Sequence, residues 1–566
     1  MKKIAILGAL LTLASISHAN RLSGPSILAS GSNPRGIVAA DLDGDGRAEL
    51  VVANFGAPTL IGQTSTAAAG SIQIFKDSAL SQTLTGGHSP RSLAVADLNG
   101  DGLPDIIASY YDDNSLGVFL QKADHSFMPP AFSPTGSHPV GVSAAKVAGA
   151  WVVAVANYNS DSVSLFTGDT RGALHAVAAA AVGSNPTDAA LFVPENGTPQ
   201  LIVANFSSNS LTIYRIGDAA GVADRRDLAL AGNPCRLAFG DLNGDNKADL
   251  AVALFTDSKV AVYSQQGGSF SGDPEKVALA GLHPNGLAVA KVSGRAAPLI
   301  ITADRDSDQL DVVGRDSTGA LKVLGSLSVK DGDNAQYGPV EVAAADFNGD
   351  GKIDFACTQM RDARVNVFLQ LGPAAVVIAS ATHPDPTQFY SASSASFSWP
   401  APADFDGIDH YLVAFDQVAS TVPGADAKTV GSGDFSMSSL DTGIYYVHVR
   451  AVDKAGNIGE TAHFKFGVTA EMSEANTYNY PNPSTTGRTT IRFALAAPAN
   501  VQVRVYDEFS ALVWSKDLSE GQTIAGVNSV EWDGHNDRGG LAGNGGYILQ
   551  VSNGKKTVTK KIAIVR

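Results

Sequence analysis

A nine-residue acidic motif occurs four times and constrains the fold more than any other feature of this 566-residue sequence. Its first copy reads Asp41-Leu-Asp43-Gly-Asp45-Gly-Arg47-Ala-Glu49. Acidic side chains at positions 1, 3, 5 and 9, with Gly at positions 4 and 6, predict a short loop that folds back so that its oxygens converge. Such a loop suits Ca²⁺, which takes about six to eight oxygen ligands. We therefore predict four structural Ca²⁺ ions, one in each copy.

The predicted ligands are the side chains at positions 1, 3, 5 and 9 and the backbone carbonyl at position 7 of each loop. They are Asp41, Asp43, Asp45, Arg47 and Glu49 in loop 1; Asp97, Asn99, Asp101, Leu103 and Asp105 in loop 2; Asp241, Asn243, Asp245, Lys247 and Asp249 in loop 3; and Asp346, Asn348, Asp350, Lys352 and Asp354 in loop 4.

These loops are not EF-hands, which need a Glu at loop position 12 and a helix on each side. Position 12 holds Val52, Ala108, Val252 and Cys357. Short apolar runs flank the first loop, at residues 37–40 and 50–53, and they predict two strands joined by the loop. In loop 3, Asn246 replaces the Gly of position 6, and Asn tolerates positive φ next best.

A proline begins each of seven repeats, which follow one another about every 50 residues, a period typical of propeller blades. These prolines are Pro34, Pro90, Pro139, Pro186, Pro234, Pro284 and Pro339. Each repeat contains runs suited to four strands, which predicts a propeller of seven blades. The last repeat stops after three strands, so we expect residues 25–29 to supply its outer strand and close the ring.

The acidic hairpins at this spacing resemble the FG-GAP/VCBS repeats of integrin-α-like propellers, and the resemblance covers residues 21–372. It implies a β-propeller domain over residues 20–372. Three repeats depart from the pattern, because residues 146–150, 193–198 and 291–297 lack the carboxylates. We expect those blades to bind no metal.

Two smaller domains follow. Residues 374–468 alternate as in a β-sandwich and resemble a fibronectin type III or bacterial Ig-like module, with Phe397, Trp399 and Tyr445 in its core. Residues 469–566 resemble the FlgD-like Ig fold and the C-terminal sorting domains of type IX secretion cargo, which implies cell-envelope sorting machinery as a partner. The predicted fold class is all-β, a seven-bladed propeller followed by two Ig-like sandwiches.

The N-terminus predicts export. Lys2 and Lys3 precede an apolar run over residues 4–16 and a small-x-small cleavage site ends at Ala19, so residues 1–19 read as a signal peptide of a secreted or cell-surface protein. No apolar stretch long enough for a transmembrane helix follows. The net charge of −15 argues against a nucleic-acid partner.

Sequence motifs leave two functions open. No catalytic residue is assigned, because the familiar nucleophile, zinc and phosphate-loop motifs are missing. One hypothesis is a calcium-stabilised binding or adhesion protein for a protein or glycan ligand; the alternative is a secreted enzyme that degrades polysaccharide or phospholipid. A face rich in titratable groups with perturbed pKa values would favour the enzyme.

We expect any ligand to bind the propeller face opposite the acidic turns, where the two residues after each proline vary between repeats. Arg35, Arg91 and Arg236 are the candidate ligand residues, for an anionic or glycan ligand around the central channel. The alternative interpretation is that these are unconstrained turn residues.

Overall fold

The computed structural model describes residues 23, 25–56, 70–195, 197–217, 220–270, 272–292, 295, 297–316, 318–330, 337–402, 404, 407–454, 456–469 and 471–566. The predicted signal peptide, residues 1–19, lies outside them. The chain divides into two compact units, the first ending at Leu371 and the second beginning at Gly372. Apart from one turn of 3-10 helix at Glu520–Gln522, the regular structure of the described residues is β-strand. The predicted all-β fold class is confirmed.

The first unit contains seven four-stranded antiparallel sheets, here called blades 1 to 7 in the order of their first prolines. The strands of blades 1 to 4 are β2 (Pro34–Ala40), β3 (Glu49–Asn54), β4 (Ser71–Lys76) and β5 (Ala79–Thr85); β6 (Pro90–Ala96), β7 (Asp105–Tyr110), β8 (Ser115–Phe119) and β9 (Ala131–Pro134); β10 (Pro139–Val147), β11 (Ala150–Asn157), β12 (Ser162–Gly168) and β13 (Leu174–Ala181); β14 (Pro186–Phe192), β15 (Gln200–Asn205), β16 (Ser210–Ile216) and β17 (Val222–Ala229).

The strands of blades 5 to 7 follow the same pattern. They are β18 (Pro234–Gly240), β19 (Asp249–Leu254), β20 (Lys259–Tyr263) and β23 (Glu275–Ala278), with a small hairpin of β21 (Gln265–Gln266) and β22 (Ser269–Phe270) inserted; β24 (Pro284–Ala290), β25 (Leu299–Asp304), β26 (Gln309–Arg315) and β27 (Leu321–Ser328); β28 (Pro339–Ala345), β29 (Asp354–Gln359), β30 (Arg364–Phe368) and β1 (Ser26–Ala29).

The first strands of the blades form a closed ring of contacts, in which β2, β6, β10, β14, β18, β24 and β28 each touch the next and β28 returns to β2. The second strands, such as β3 and β7, are buried along their whole length, except that β11 begins with one exposed and one half-buried residue. Each lies between two neighbouring sheets, which explains why its sequence is a continuous apolar run rather than an alternating one. This arrangement is a β-propeller.

The ring closes as the sequence predicted. Strand β1 pairs antiparallel with β30, so that Leu28 lies opposite Val365. Leu28 is buried in a cluster that also contains Val52 of blade 1 and Val367 of blade 7. The N-terminal strand therefore completes the last blade, and the prediction for residues 25–29 is confirmed.

Each first strand begins at its proline and shifts register within the next residues, as between Pro34 and Gly36 or between Pro90 and Ser92. Proline is tolerated as the first residue of a strand, because the lost N–H is not needed there. A bulge of this kind leaves one residue without a pairing partner and redirects its side chain. Arg35 and Arg91 are two such residues.

The second unit contains two β-sandwiches. Its strands are β31 (Phe389–Tyr390), β32 (Ala395–Ser398), β33 (Ile408–Asp416), β34 (Lys428–Val430), β35 (Asp434–Met437), β36 (Gly443–Asp453) and β37 (Ala462–Val468), then β38 (Tyr478–Tyr480), β39 (Thr489–Leu495), β40 (Val501–Tyr506), β41 (Leu512–Leu518), β42 (Gly526–Trp532), β43 (Gly545–Ser552) and β44 (Thr557–Ile564). Phe397 and Trp399 are buried in the first core, and half-buried Tyr445 packs against it, as expected. Trp532 lies in the second core.

We expect Leu28→Ala to destabilise blade 7, although Leu28 is more than 300 residues away in sequence from the other strands of that blade. Removing a buried leucine side chain costs about 2–5 kcal/mol, and the cavity would open against Val365 and Val367. Urea unfolding would measure the loss, and amide hydrogen exchange would show faster exchange in β30. Ile27→Ala is the control, because Ile27 is 45% exposed. Equal stability of the two variants would contradict the closure.

Candidate metal centres and channel site

The acidic turns share one backbone geometry. In loop 2 the carboxylate of Asp97 accepts the N–H groups of Gly100, Asp101 and Gly102 at 2.8, 3.0 and 3.1 Å. The carboxylate at position 1 accepts the same three donors in the other loops. Asn246 has φ 62°, which confirms that it takes the conformation of the Gly it replaces. The sequence therefore encodes the turn itself.

The position-9 carboxylate is held from two sides in loops 2 to 4. Asp105 accepts the N–H of Leu98 at 2.9 Å on Oδ2 and that of Gln121 at 2.9 Å on Oδ1. Asp249 and Asp354 have the equivalent pairs of donors. Burial nevertheless raises the pKa of Asp105 to about 6, and the neighbouring Asp101 and Asp97 add to the effect. Each such turn concentrates negative charge that a bound cation would offset.

The carboxylates of loop 1 lie close enough together to hold a hard cation. In loop 1, Asp41, Asp43 and Glu49 each offer an oxygen within 4.8 Å of the others. Asp43 Oδ1 and Glu49 Oε1 are buried and accept no hydrogen bond. In loops 2 to 4 the position-3 residue is Asn99, Asn243 or Asn348, whose amide oxygen is also a calcium ligand. The convergent carboxylate oxygens of loop 1, two of which accept no hydrogen bond, are the chemistry that Ca²⁺ selects.

Loop 1 differs in holding a lysine from another strand among three of its carboxylates, whereas Lys247 in loop 3 and Lys352 in loop 4 each pair only with the aspartate at position 5. Lys76 Nζ contacts the Asp43 carboxylate, lies 2.8 Å from Asp45 Oδ2 and lies 3.5 Å from Glu49 Oε1. Lys76 was not predicted as part of this site, because only the pairing of β4 with β3 brings it next to the loop.

A ring of residues lies on the opposite face, where the second strand of each blade ends. Their N–H groups each bond to the carbonyl of the residue before the blade's proline, and the seven positions are Phe55, Tyr111, Tyr158, Phe206, Phe255, Arg305 and Met360. All seven side chains are half-buried. Sequence reasoning missed this ring, although the residue after each buried second strand could have been compared across repeats.

Two of the three candidate arginines pack against aromatic members of this ring of residues. The guanidinium of Arg35 lies 5.6 Å from the ring centroid of Phe55, and that of Arg91 lies 5.5 Å from that of Tyr111. Their Nε atoms are buried and have no hydrogen-bond acceptor. Burial, followed by repulsion from Arg35 and Arg236, lowers the pKa of Arg91 to about 9. Burial and the charge of Arg305 lower the pKa of Arg35.

Arg236 is different, because acidic side chains neutralise it. Its Nε donates to Glu341 Oε2 at 2.6 Å, and its side chain is 12% exposed. Burial raises the pKa of Asp188 and of Glu341, and the charge of Arg236 opposes both shifts. These three side chains line a cavity of about 220 Å³ together with Gly36 and Ser92. Arg236 therefore has acidic partners, whereas Arg35 and Arg91 have none among the described residues.

A buried carboxyl pair lies in blade 6. Asp311 accepts the N–H groups of Ala280 and Gly281 at 2.6 and 2.9 Å, as well as hydrogen bonds from Gln309 and Ser326. Asp304 is fully buried beside it, and neither of its oxygens accepts a hydrogen bond. Burial, followed by the charge of Asp311, raises the pKa of Asp304 to about 8. Because it lacks access to solvent, this pair is structural.

Comparison with known proteins identifies two parts of the chain. Residues 89–119 match the FG-GAP repeat, and residues 477–556 match the FlgD Ig-like domain. No curated protein matches the chain.

Solved structures resemble it only distantly. A BBS1N chain crystallised with ARL6DN is 13% identical, with a TM-score of 0.43, and the match covers 62% of this chain and 97% of that one. A putative 6-phosphogluconolactonase from Bacteroides uniformis is 16% identical, with a TM-score of 0.43, over 55% of this chain and 88% of its own. A periplasmic gluconolactonase from Pseudomonas aeruginosa is 18% identical, with a TM-score of 0.39, over 53% and 86%. Likeness at this level carries no argument about function.

We expect Asp304→Asn to stabilise the first unit increasingly as pH rises. The matched positions in blades 1, 3 and 4 hold Asn54, Asn157 and Asn205, and Asn205 donates to Thr212, the position matched by Asp311. Because the pKa of Asp304 is higher in the folded protein than in the unfolded chain, the wild type loses folding stability as pH rises from the unfolded pKa, near 4, to about 8. The gain should therefore grow by at most about 1.4 kcal/mol per pH unit in that window and vanish below it.

Urea unfolding at several pH values would measure this difference. Asp273→Asn, at an exposed position, is the control and should show no such slope. A gain that did not vary with pH would contradict the assignment of a raised pKa to Asp304.

Proposed function

We propose that the protein is an exported, calcium-stabilised binding protein whose propeller recognises an anionic group of a protein or glycan ligand at the channel face. The observation that carries this proposal is the pair Arg35 and Arg91. Both guanidinium groups are stacked on aromatic rings and neither has a carboxylate partner among the described residues. Both arginines are half-buried with their Nε atoms fully buried, and a partly desolvated, uncompensated charge is costly, so this arrangement favours an anion supplied from outside.

The chemistry of arginine supports this assignment. A guanidinium has five donors in a planar fork and binds carboxylate, sulfate or phosphate groups with two parallel hydrogen bonds. Stacking on Phe55 and Tyr111 holds the two planes in place without using their donors. The half-buried ring of seven residues around them, five of which are aromatic, offers apolar surface for the rest of a ligand. Binding would therefore add charge neutralisation to apolar contact.

Charge is distributed unevenly between the two faces. The chain carries a net charge of −15, yet the four acidic turns lie at one end of the blades and the two unpaired arginines at the other. Calcium bound in the turns would have a structural role, since clustered carboxylates repel one another in its absence. The recognition role then belongs to the channel face.

The second candidate function, an enzyme that degrades polysaccharide or phospholipid, rests on one observation. Asp188 and Glu341 are half-buried carboxylates with raised pKa values that line the channel cavity. Both interact with Arg236, and Asp188 also accepts the N–H of Leu237 at 3.0 Å. Carboxylates restrained in this way suit a structural ion pair better than a pair that must exchange protons with substrate.

The second unit would act as a stalk and as a sorting or anchoring signal. The match to the FlgD Ig-like domain supports the fold of its C-terminal part, and the sorting role is our proposal. No helix in the described part of the chain is both long and apolar enough to span a bilayer.

We expect calcium to stabilise the propeller. Protein equilibrated with excess calcium should contain about four Ca²⁺ per chain, and chelation should lower the melting temperature, because the carboxylates of each turn lose their counter-ion. Atomic absorption and differential scanning calorimetry would measure the two effects. Asp101→Ala should remove one ion and part of the shift. A melting temperature unaffected by chelator would rule out the structural role.

We expect the double variant Arg35→Gln and Arg91→Gln to lose at least about tenfold in affinity for an anionic ligand, because both charge-assisted contacts are lost. A glycan array that includes carboxylated and sulfated polymers, together with acidic peptides, would identify the ligand and measure the loss. Arg171→Gln, at an exposed turn, is the control for net charge.

Arg236→Gln should act differently, since it leaves Asp188 and Glu341 half-buried without their cation. It should lower stability by about 3–5 kcal/mol.

Equal binding by wild type and the double variant would remove the channel face from consideration. Release of reducing ends from a bound polysaccharide would favour the second function instead.

A further inference from the structure

Loop 1 departs from the other three acidic turns at two positions that face each other. Its position-9 residue is Glu49, whereas loops 2 to 4 have aspartate there. In those loops both oxygens of the aspartate accept backbone N–H groups, as Asp105 does from Leu98 and Gln121. Glu49 Oε2 accepts the N–H of Leu42 at 2.8 Å, which matches the bond from Leu98 to Asp105. Its other oxygen, Oε1, is buried and accepts no hydrogen bond.

The second departure lies at the end of the third strand. Strand pairing places Phe75 opposite Leu50, and the matched pairs in the other metal-loop blades are Phe119 with Ile106, Tyr263 with Leu250 and Phe368 with Phe355. The next residue is Lys76 in blade 1. It is Leu120, Ser264 and Leu369 in the others. Blade 1 alone of these four has a cationic side chain at this position.

The lysine ends where the loop's oxygens converge. Its ammonium group contacts Asp43 and lies within ion-pair distance of Asp45 and Glu49, and its side chain is 29% exposed. Asp43 and Glu49 also belong to the group of three carboxylates whose oxygens lie within 4.8 Å of one another. A divalent ion and this ammonium group would therefore compete for the same oxygens.

We propose that Lys76 is a built-in competitor for calcium, and that loop 1 is the weakest of the four calcium sites. This inference rests on the proposed calcium role of the turns. Ca²⁺ enters loop 1 only when Lys76 withdraws towards solvent, which its partly exposed, flexible side chain permits. Loops 2 to 4 fill first, and loop 1 fills at higher calcium concentration.

The consequence is local to the closing seam of the ring. Strand β3, which begins at Glu49, packs in the cluster shared with blade 7, and Ala48 N–H donates to Asp346 O at 2.9 Å. Loop 1 thus lies next to loop 4. The lysine keeps this seam neutralised when calcium is low, so that blades 7 and 1 stay joined without an ion in loop 1.

Calcium titration of the full-length protein by calorimetry tests the inference. We expect wild type to show three tighter sites and one weaker site. Asp43→Ala should remove the weak site only. Lys76→Leu, which installs the residue found at the matched positions in blades 2 and 7, should tighten that site by about tenfold or more and merge it with the others. Lys76→Gln serves as a second variant that keeps polarity.

Leu120→Lys is the reciprocal test, because it places an ammonium group beside loop 2. A second site should then become weak. Four equal sites in wild type, or an unchanged titration for both Lys76 variants, would overturn the inference while leaving calcium binding intact. A protein that bound no calcium at all would overturn the calcium role itself, and so the two failures are distinguishable.

Discussion

Pairing between the N-terminal strand and the last blade is the interaction on which the first unit depends. Strand β1 lies beside β30, and Ser23 and Leu369 exchange hydrogen bonds just beyond it. At the channel face, Thr358 of blade 7 donates to the carbonyl of Arg35 at 3.2 Å. The faces of a propeller exist only when its ring is closed. Both the acidic turns and the channel site are therefore held by contacts that are very distant in sequence.

The two faces of the propeller concentrate charges of opposite sign. On the acidic face, carboxylates are brought together by backbone N–H donors, and the remaining repulsion calls for a cation. On the channel face, cations are brought together by aromatic stacking, and Arg236 alone of the three candidate arginines meets carboxylates, from Asp188 and Glu341. Since each first strand has one end on each face, a single repeat geometry produces both surfaces.

Features encoded within a few residues could be predicted from the sequence. The acidic turns, the positive φ of Asn246 and the apolar second strands all follow from local spacing. The strand that closes the ring was predictable because one repeat lacked its fourth strand. Pairings that depend on register were not predictable: the approach of Lys76 to Glu49 and of Glu341 to Arg236 joins residues from separate strands. The sequence places arginines at these positions after the prolines, but residue type and position cannot distinguish a paired guanidinium from an unpaired one.

Repetition makes each departure from the common pattern interpretable, because matched positions show what the fold alone requires. In blade 1, the longer Glu49 is balanced by Lys76, so both changes occur within one local site. In blade 6, Asp304 replaces an amide and remains a cost, since Asp311 beside it is also acidic. Arg35 and Arg91 belong to neither case. No described residue neutralises them and yet aromatic rings hold them in place. These two arginines, which the fold positions but does not neutralise, are therefore the residues on which the proposed recognition of an anionic ligand rests.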